Sequence, residues 1–285
     1  MLTYLQATLM GAMQGVSELF PVSSLGHSVI LPKLLGWSVN QNDNLFLIFL
    51  VATHLATALV LLGFFHKDWL LIIKGIFRSI KIREINPSDI YAKLGWLIVV
   101  GTIPAGVLGI LFEDKLKVLF ASPNIVAVFL ILNGIILYGA ELLRKKSEKN
   151  TNENADKNLD QMTWWQSVKV GLAQCLALIP GFSRTGSTIG GGLLIGFDHK
   201  NAARFSFLLA TPIIFAASVL KLPELIISDD SRAVGPILVG SVIAAITAYL
   251  SVRFLTKYFE TKTLTPFAIY CVAIGVLSCV VFFFR

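Results

Sequence analysis

The sequence predicts an all-α polytopic membrane protein, and three observations support this fold class. Of the 285 residues, 55% are hydrophobic and only 14% are charged. A soluble domain of this size has about a quarter of its residues charged. In addition, six apolar stretches approach or reach the roughly 20 residues that a helix needs to cross the hydrocarbon core. These stretches are Leu45–Phe65, Leu94–Phe112, Ile125–Leu143, Phe205–Leu220, Val234–Tyr249 with an extension to Phe254, and Pro266–Phe284.

Charge and cysteine content argue against other classes of protein. The net charge of +7 suits cytoplasmic loops of a membrane protein better than a nucleic-acid surface. The cysteines Cys175, Cys271 and Cys279 lack CxxC spacing and lie in apolar surroundings, so we expect neither a disulfide nor a zinc site. The N-terminus has no basic region followed by a cleavage site, and no removable signal peptide is expected.

Two polar breaks interrupt the apolar pattern, one at Pro21–His27 and the other at Pro180–Thr188. The apolar segments on either side of each break are too short to cross the membrane alone. Non-helical backbone at this depth is tolerated only where protein or a wet cavity surrounds it. We therefore predict two re-entrant helical hairpins, at 1–37 and 163–198, in addition to the six transmembrane helices.

The two breaks also resemble each other, which predicts an internal repeat. The first repeat covers 1–143, a polar linker covers 144–162, and the second repeat covers 163–285. Each repeat contains one hairpin and three spans, an odd number of crossings, so the second must be inverted relative to the first. Inverted repeats with broken helices that meet near the midplane are typical of transporters.

Basic residues are concentrated on one side of the predicted topology. The segments 66–93, 144–162 and 255–264 contain most of the lysines and arginines between the spans. The positive-inside rule places these segments in the cytoplasm. The first hairpin then enters the membrane from outside, and the second enters from inside.

The breaks hold an unusual set of polar side chains. The serines are suited to capping helix starts, and a lone buried histidine is usually structural. A carboxylate and a guanidinium within membrane segments are different, because each costs roughly 2.5–3.5 kcal/mol even on the lenient insertion scale. The alternative to a functional role is a single ion pair between Glu18 and Arg184. The polar set is Gln14, Glu18, Ser23, Ser24, His27, Gln174, Ser183, Arg184, Ser187 and Thr188.

Taken together, these residue types suit a phosphate group. Helix N-termini at the two breaks direct N–H groups at an anion, and Arg184 provides a planar fork that matches phosphate oxygens. Glu18 would repel a phosphate directly, so it is expected to bind a metal ion or move a proton. His27 can act as an acid or base near neutral pH. This combination predicts cleavage of a phosphoanhydride.

The segments Gln14–His27 and Pro180–Thr188 resemble the two signatures of the undecaprenyl-diphosphatase (bacitracin-resistance) family of bacterial membrane phosphatases. The resemblance covers nearly the whole chain. It implies hydrolysis of undecaprenyl diphosphate to the monophosphate in the bacterial cell membrane, assisted by Mg²⁺ or Ca²⁺, at a site open to the outer face. By position it implies catalytic roles for Glu18, Ser24, His27 and Arg184, and phosphate binding by Ser23, Ser183, Arg184 and Thr188.

Some questions stay open at this level. The family often has Glu where this chain has Gln14, so a metal site of Glu18 and Gln14 departs from the usual pattern. A flippase or transporter of the polyprenyl phosphate carrier is the alternative function, because the predicted inverted repeat also fits alternating access. His54 lies within the first span without an assigned role, and a homo-oligomer is neither predicted nor excluded. The expected partners are a polyprenyl diphosphate lipid and the membrane, with no nucleic acid.

Overall fold

The computed structural model describes residues 2–37, 39–40, 43–86, 88–112, 122–150, 158–225 and 233–284, and these residues form helices and turns without a strand. Two short 3₁₀ helices, Leu159–Gln161 and Cys175–Leu178, accompany the α-helices. The α-helices are α1 (Tyr4–Ser17), α2 (Ser24–Leu34), α3 (Asn44–Phe64), α4 (His66–Ile82), α5 (Ile90–Leu111), α6 (Pro123–Asn150), α7 (Trp164–Gln174), α8 (Arg184–Leu194), α9 (His199–Leu225), α10 (Val234–Tyr258) and α11 (Thr265–Phe283).

Six of the described helices are long and apolar enough to cross a membrane, namely α3, α5, α6, α9, α10 and α11. The prediction of an all-α protein with six spans is confirmed. Several helices extend beyond the apolar stretches, since α6 continues to Asn150 and α9 begins at His199. The predicted polar linker 144–162 thus begins as helix, and residues 151–157 lie outside the described residues. Apolar patterning detects only the part of a helix that lies in hydrocarbon.

Helix α4 lies in the segment 66–93, which the charge pattern had assigned entirely to a loop. It is 17 residues long and packs against the first part of α5. Gly75 allows this contact, because a Cβ atom there would lie 2.6 Å from the backbone nitrogen of Ala92. The indole of Trp96 also donates a hydrogen bond of 2.9 Å to Ser79. The segment looks like a loop in the sequence because its basic residues mask the helical apolar periodicity.

The two predicted hairpin segments each form a pair of short helices, α1 with α2 and α7 with α8. Helix α1 has 14 residues, about 21 Å, and cannot cross a hydrocarbon core of roughly 30 Å. A capping box at Thr3 starts α1, and another at Thr163 starts α7. The side chain of Gln166, in the first turn of α7, donates to the carbonyl of Ile195 just after α8. The outer ends of this pair therefore lie together, which is consistent with a re-entrant hairpin.

The helix packing is consistent with the predicted two-fold relation between the halves. Helix α1 packs along α10 and α7 packs along α5, while α3 packs on α9 and α6 packs on α11. Small residues allow both hairpin contacts, with Gly11 against Gly240 and Gly171 against Gly101. Close approach through small residues is common between membrane helices. The same type of contact thus occurs once for each hairpin, and each time it joins one half of the chain to the other.

One end of the bundle is held together by a buried carboxylate. Glu141 Oε1 near the end of α6 accepts from His199 Nε2 at 2.7 Å and from the backbone nitrogen of Leu264 at 2.6 Å. Glu141 is 1% exposed. This contact joins the last turns of α6 to the start of α9 and to the α10–α11 connection. These are the segments that the charge pattern assigns to the cytoplasm.

The orientation in the membrane stays a prediction. A cysteine at Asn42 is expected to react with an impermeant thiol reagent in intact cells, and one at Asn152 only after lysis. Both positions lie outside the described residues. The physical reason is the excess of lysine and arginine between the spans on one side. The reverse labelling pattern would overturn the orientation and the inverted repeat with it.

Candidate active site

The two breaks meet in the interior of the protein. Glu18, directly after α1, accepts a hydrogen bond of 2.9 Å at Oε1 from an Arg184 terminal nitrogen at the start of α8. The hydroxyl of Thr185 donates to the backbone carbonyl of Glu18 at 2.9 Å. Glu18 is thus in direct contact with two residues that follow it by 166 and 167 positions in the chain. The expectation that both breaks contribute to one place in the protein agrees with this geometry.

Glu18 is the centre of the cluster, and its Oε2 atom receives three further contacts. Gln14 Nε2 donates at 3.2 Å, the hydroxyl of Ser24 donates at 2.5 Å, and His54 Nε2 lies at 3.2 Å. Gln14 and Glu18 share one face of α1 because they are four residues apart. Glu18 is 6% exposed, and a buried carboxylate needs partners of this kind to remain charged.

Ser23 and Ser183 cap the two helices that begin at the breaks. The Ser23 hydroxyl accepts from the backbone nitrogen of Gly26 at 3.1 Å, and the Ser183 hydroxyl accepts from that of Gly186 at 3.0 Å. Ser23 has φ 70° and ψ 96°, a conformation that costs a non-glycine residue about 1–3 kcal/mol. Strained backbone of this kind is concentrated at functional sites. Both serines therefore have the capping role considered from the sequence, and they stabilise the first turns of α2 and α8, whose first residues, Ser24 and Arg184, contact Glu18.

Close contact between the breaks depends on Gly181. Its φ is +105°, which disfavours residues with a side chain, and a Cβ atom there would lie 2.6 Å from the Phe129 Cβ. A Cβ atom at Gly26 would lie 3.2 Å from the Gly181 Cα. The glycines of the two motifs thus allow the backbones to touch.

The structure does not bring the side chains of His27 and Thr188 into hydrogen-bond contact with the paired side chains of Glu18 and Arg184. His27 Nδ1 lies 2.7 Å from the carbonyl of Ser23, and Nε2 lies 2.9 Å from the hydroxyl of Tyr270. The two rings are also stacked, with centroids 5.6 Å apart. The Thr188 hydroxyl is 2.5 Å from that of Ser206 and donates to carbonyls of its own helix. Each side chain thus lies in the first turns of a capped helix, next to the cluster but without a contact to the Glu18 carboxylate.

His54, to which the sequence assigned no role, lies beside Glu18. Its Nδ1 lies 2.7 Å from the carbonyl of Leu50, one turn earlier in α3. A carbonyl only accepts, so Nδ1 carries a proton and Nε2 faces Glu18. The sequence contained one indication of this role, because an ionisable residue inside an apolar span is functional by default. Its partner could not be identified, since α1 and α3 are adjacent only in the folded protein.

Several buried polar atoms in or near the breaks have no hydrogen-bond partner among the described residues. They include Gln14 Oε1, the Arg184 nitrogen Nη1 and both amide atoms of Gln174. A buried polar group left unpaired costs about 1–3 kcal/mol. Arg184 therefore has one terminal nitrogen on Glu18 and the other available to a ligand, which suits a charge-assisted hydrogen bond to a phosphate oxygen.

The oxygen atoms around Glu18 meet the needs of a divalent cation only in part. Mg²⁺ and Ca²⁺ prefer oxygen ligands. Glu18 offers carboxylate oxygens, and Gln14, whose Nε2 donates to Glu18, has in Oε1 an oxygen without a partner among the described residues. No group of three or more His, Cys, Asp or Glu side chains suited to a metal occurs in the described part of the chain. The residues therefore fit a cation only if phosphate oxygens complete its coordination.

Fold and site define a helical membrane protein with a buried polar site suited to an anionic phosphate group. The chain belongs to the bacitracin resistance protein BacA family, whose family model matches residues 7–277. It is 46% identical to an undecaprenyl-diphosphatase of Mycolicibacterium paratuberculosis, over 98% of this chain and 97% of the relative. It is 40% identical to undecaprenyl-diphosphatase 2 of Frankia alni, over 99% and 98% of the two chains. An undecaprenyl-diphosphatase 2 of Chromobacterium violaceum is 44% identical over 96% and 97%.

Proposed function

We propose that this chain hydrolyses undecaprenyl diphosphate to undecaprenyl phosphate and inorganic phosphate. The observation that carries the proposal is the 2.5 Å hydrogen bond from Ser24 to Glu18, next to an arginine nitrogen that has no partner among the described residues. A hydroxyl on a carboxylate is arranged as a nucleophile on a base. The near full-length similarity to undecaprenyl-diphosphatases identifies the substrate class. In the cell, the reaction would recycle the carrier lipid for cell-wall synthesis and confer bacitracin resistance.

The terminal phosphate is held between Arg184 and the first turns of α2 and α8. Arg184 Nη1 and the backbone N–H groups at the two helix starts stabilise the negative charge that spreads over the phosphoryl oxygens. Ser23 and Ser183 orient these helix starts through their caps. Thr188 supports the first turn of α8 through its contact with Ser206. Catalysis of phosphoryl transfer depends mainly on such positioning and charge stabilisation.

The attack uses the oxygen of Ser24, or a water molecule held beside it, and Glu18 accepts the proton of the attacking group. A new bond forms between that oxygen and the terminal phosphorus, while the bond from phosphorus to the bridging oxygen breaks. Undecaprenyl phosphate leaves with the bridging oxygen. If Ser24 is the nucleophile, Glu18 first gives up this proton as the undecaprenyl phosphate departs. Water then attacks the phosphoserine, Glu18 accepts the proton of the water, and the Ser24 oxygen leaves phosphorus and takes that proton back as inorganic phosphate is released. His54 and Gln14 hold Glu18 in place during these steps.

A bound Mg²⁺ or Ca²⁺ would be held by Glu18 and Gln14 and would neutralise charge on the diphosphate. We place the protein in the bacterial cell membrane as a multi-pass protein with its site open to the outer face. Its other partner is the membrane itself, and we expect no nucleic acid.

The test of this proposal is phosphate release from undecaprenyl diphosphate by the purified protein in detergent. Release that stops with a chelator and returns with Mg²⁺ or Ca²⁺ would support both the reaction and the cation. Phosphate release that the chelator does not affect would contradict the cation requirement and leave the proposed reaction standing. Folded protein that moves the carrier lipid across a liposome membrane without releasing phosphate would instead support the transporter alternative.

Replacing Ser24 with alanine distinguishes the two attacking groups. If Ser24 is the nucleophile, Ser24→Ala abolishes phosphate release, and rapid quenching of the parent protein traps phosphate on the chain. The control is Ser28→Ala, a buried serine of the same helix whose hydroxyl donates to the carbonyl of Leu25 at 2.8 Å. It is expected to keep near-parent turnover. Substantial release by Ser24→Ala would leave water as the attacking group.

His54 acts on the reaction through Glu18, so it is expected to be a positioning residue. His54→Ala is expected to lower turnover about tenfold to hundredfold, because a hydrogen bond to a charged group contributes about 1.5–3 kcal/mol. His54→Gln keeps a donor within reach of Glu18 and should restore most of the activity. His66→Gln is the matched control, since the exposed His66 lies at the start of α4. Equal losses in the alanine and glutamine variants would contradict positioning by a hydrogen bond.

A further inference from the structure

Helix α4 has an exposed apolar row that nothing in the described structure covers. Leu70, Ile73, Phe77 and Ile80 are spaced by three or four residues, so they lie along one face of the helix. Their exposed fractions are 57%, 44%, 69% and 55%. The opposite face, which includes Ile72, is buried against α5 and the core. Since exposed large apolar side chains of this density are unfavourable in water, the row indicates an interaction surface.

A row of lysines runs beside the apolar row. Lys67, Lys74 and Lys81 are exposed and seven residues apart, which is close to two helical turns, so they lie on one face. Lys74 is three and four residues from Phe77 and Leu70, and this spacing makes the two rows neighbours. None of the three lysines has an acidic partner among the described residues.

Two of the acidic groups near α4 are already paired with other cations, and Glu84, which follows the helix, pairs with none of the three lysines. Asp68 in the first turn of α4 pairs with Arg204 of α9 at 2.7 Å. Asp89, before α5, pairs with Arg78. The Arg78 guanidinium lowers the pKa of the Asp89 carboxyl against the opposing effect of burial, so this acid is charged at neutral pH. The lysine row therefore presents uncompensated positive charge beside an apolar surface.

The position of α4 limits what can cover this surface. Helix α4 is shorter than the described spans and contains five basic side chains counting His66, so it is not among the candidate membrane spans. A single residue, Phe65, separates it from the end of α3, and a short connection leads from it to α5. Both neighbours are spans, so α4 is held at the membrane boundary. Segregated apolar and lysine rows at that depth are typical of helices that lie in the interface.

We propose that α4 binds the lipid surface through these two rows and selects anionic headgroups of the phosphatidylglycerol type. The apolar row enters the acyl-chain boundary, and the lysine stems extend along it so that their ammonium groups reach lipid phosphates. Each lysine near an anionic surface contributes about 1 kcal/mol, or roughly fivefold in affinity. The surface is separate from the Glu18–Arg184 site, and it provides an anionic-lipid contact whatever reaction that site performs.

The test places a fluorophore on the exposed row of the full-length protein. Phe77→Cys is labelled in a chain whose Cys175, Cys271 and Cys279 are replaced by alanine, and it is reconstituted in vesicles of phosphatidylcholine and phosphatidylglycerol. In parallel samples, one lipid or the other carries brominated acyl chains that quench the fluorophore on contact. Both brominated lipids should quench. Brominated phosphatidylglycerol should quench at least about twofold more than its mole fraction predicts, and 1 M salt should remove the excess.

Variants then test the role of the lysines. The triple variant Lys67→Gln, Lys74→Gln, Lys81→Gln should lower quenching by phosphatidylglycerol to the mole-fraction value. A matched triple variant, Arg253→Gln, Lys257→Gln, Lys262→Gln, removes the same charge elsewhere and should retain the excess. Absence of quenching by either lipid would mean that water or a second copy covers α4, and the proposal would be wrong. Quenching by each lipid in proportion to its mole fraction would refute selection of anionic headgroups. The salt dependence of the parent protein tests this selection even if the triple variant fails to fold.

Discussion

Glu18→Gln is expected to abolish phosphate release while leaving binding of the diphosphate lipid intact or tighter. The amide cannot accept the proton of Ser24 or of water, and loss of a general base typically lowers the rate about 10²- to 10⁴-fold. The carboxylate also repels the substrate, by roughly 4 kcal/mol for two charges about 4 Å apart at an effective dielectric of 20. Its removal releases the Arg184 nitrogen that now contacts Glu18 at 2.9 Å. Turnover, lipid affinity and melting temperature in detergent are measured on the same preparation.

The matched control is Glu141→Gln. Glu141 is also a buried carboxylate paired with a histidine, but it lies between α6, α9 and the α10–α11 connection. Glu141→Gln is expected to lower the melting temperature, because a broken buried pair destabilises the fold, and to leave turnover of the folded protein unchanged. If Glu18→Gln behaved like Glu141→Gln, with a comparable fall in melting temperature and retained turnover, Glu18 would be only the partner of a structural ion pair.

Arg184→Lys is expected to lose most of the turnover at saturating lipid. A lysine keeps the positive charge, but one ammonium cannot hold Glu18 and a phosphate in the fixed geometry of a guanidinium fork. Each lost hydrogen bond to a charged group costs about 1.5–3 kcal/mol, which corresponds to roughly a tenfold to hundredfold loss. The unpartnered Nη1 of Arg184 is the atom whose contact with phosphate the substitution removes.

Arg204→Lys is the corresponding control, because Arg204 also pairs with a carboxylate, Asp68, at 2.7 Å. That pair joins α9 to α4 and has no part in the proposed reaction, so the lysine variant should turn over at nearly the parent rate. Near-parent turnover by Arg184→Lys would remove the guanidinium from the stabilisation of the transferring phosphate. The two variants make the same chemical change, and only the position of the arginine differs.

The positions of the spans were predictable because the bilayer imposes a length and an apolar composition on each crossing helix. The broken segments were recognisable for the same reason, since Pro, Gly and Ser disrupt an apolar helix. Helix α4 was not recognised, because it does not cross the hydrocarbon core, which would impose a continuous apolar composition on it. The bounds of α6 and α9 were underestimated for the same reason, as their ends extend beyond the apolar part.

For the candidate site, the sequence by itself determined which groups are costly to bury in a membrane. That cost alone identified Glu18 and Arg184 as candidate functional residues. It also placed Gln14 and Glu18 on one helix face, because a spacing of four residues is a local property. Only the tertiary structure decided the contacts between helices: that His54 rather than His27 faces Glu18, and that His27 faces Tyr270, 243 residues away. Side-chain partners across a bundle depend on how whole helices pack, and that packing is a property of the complete fold which no local spacing contains.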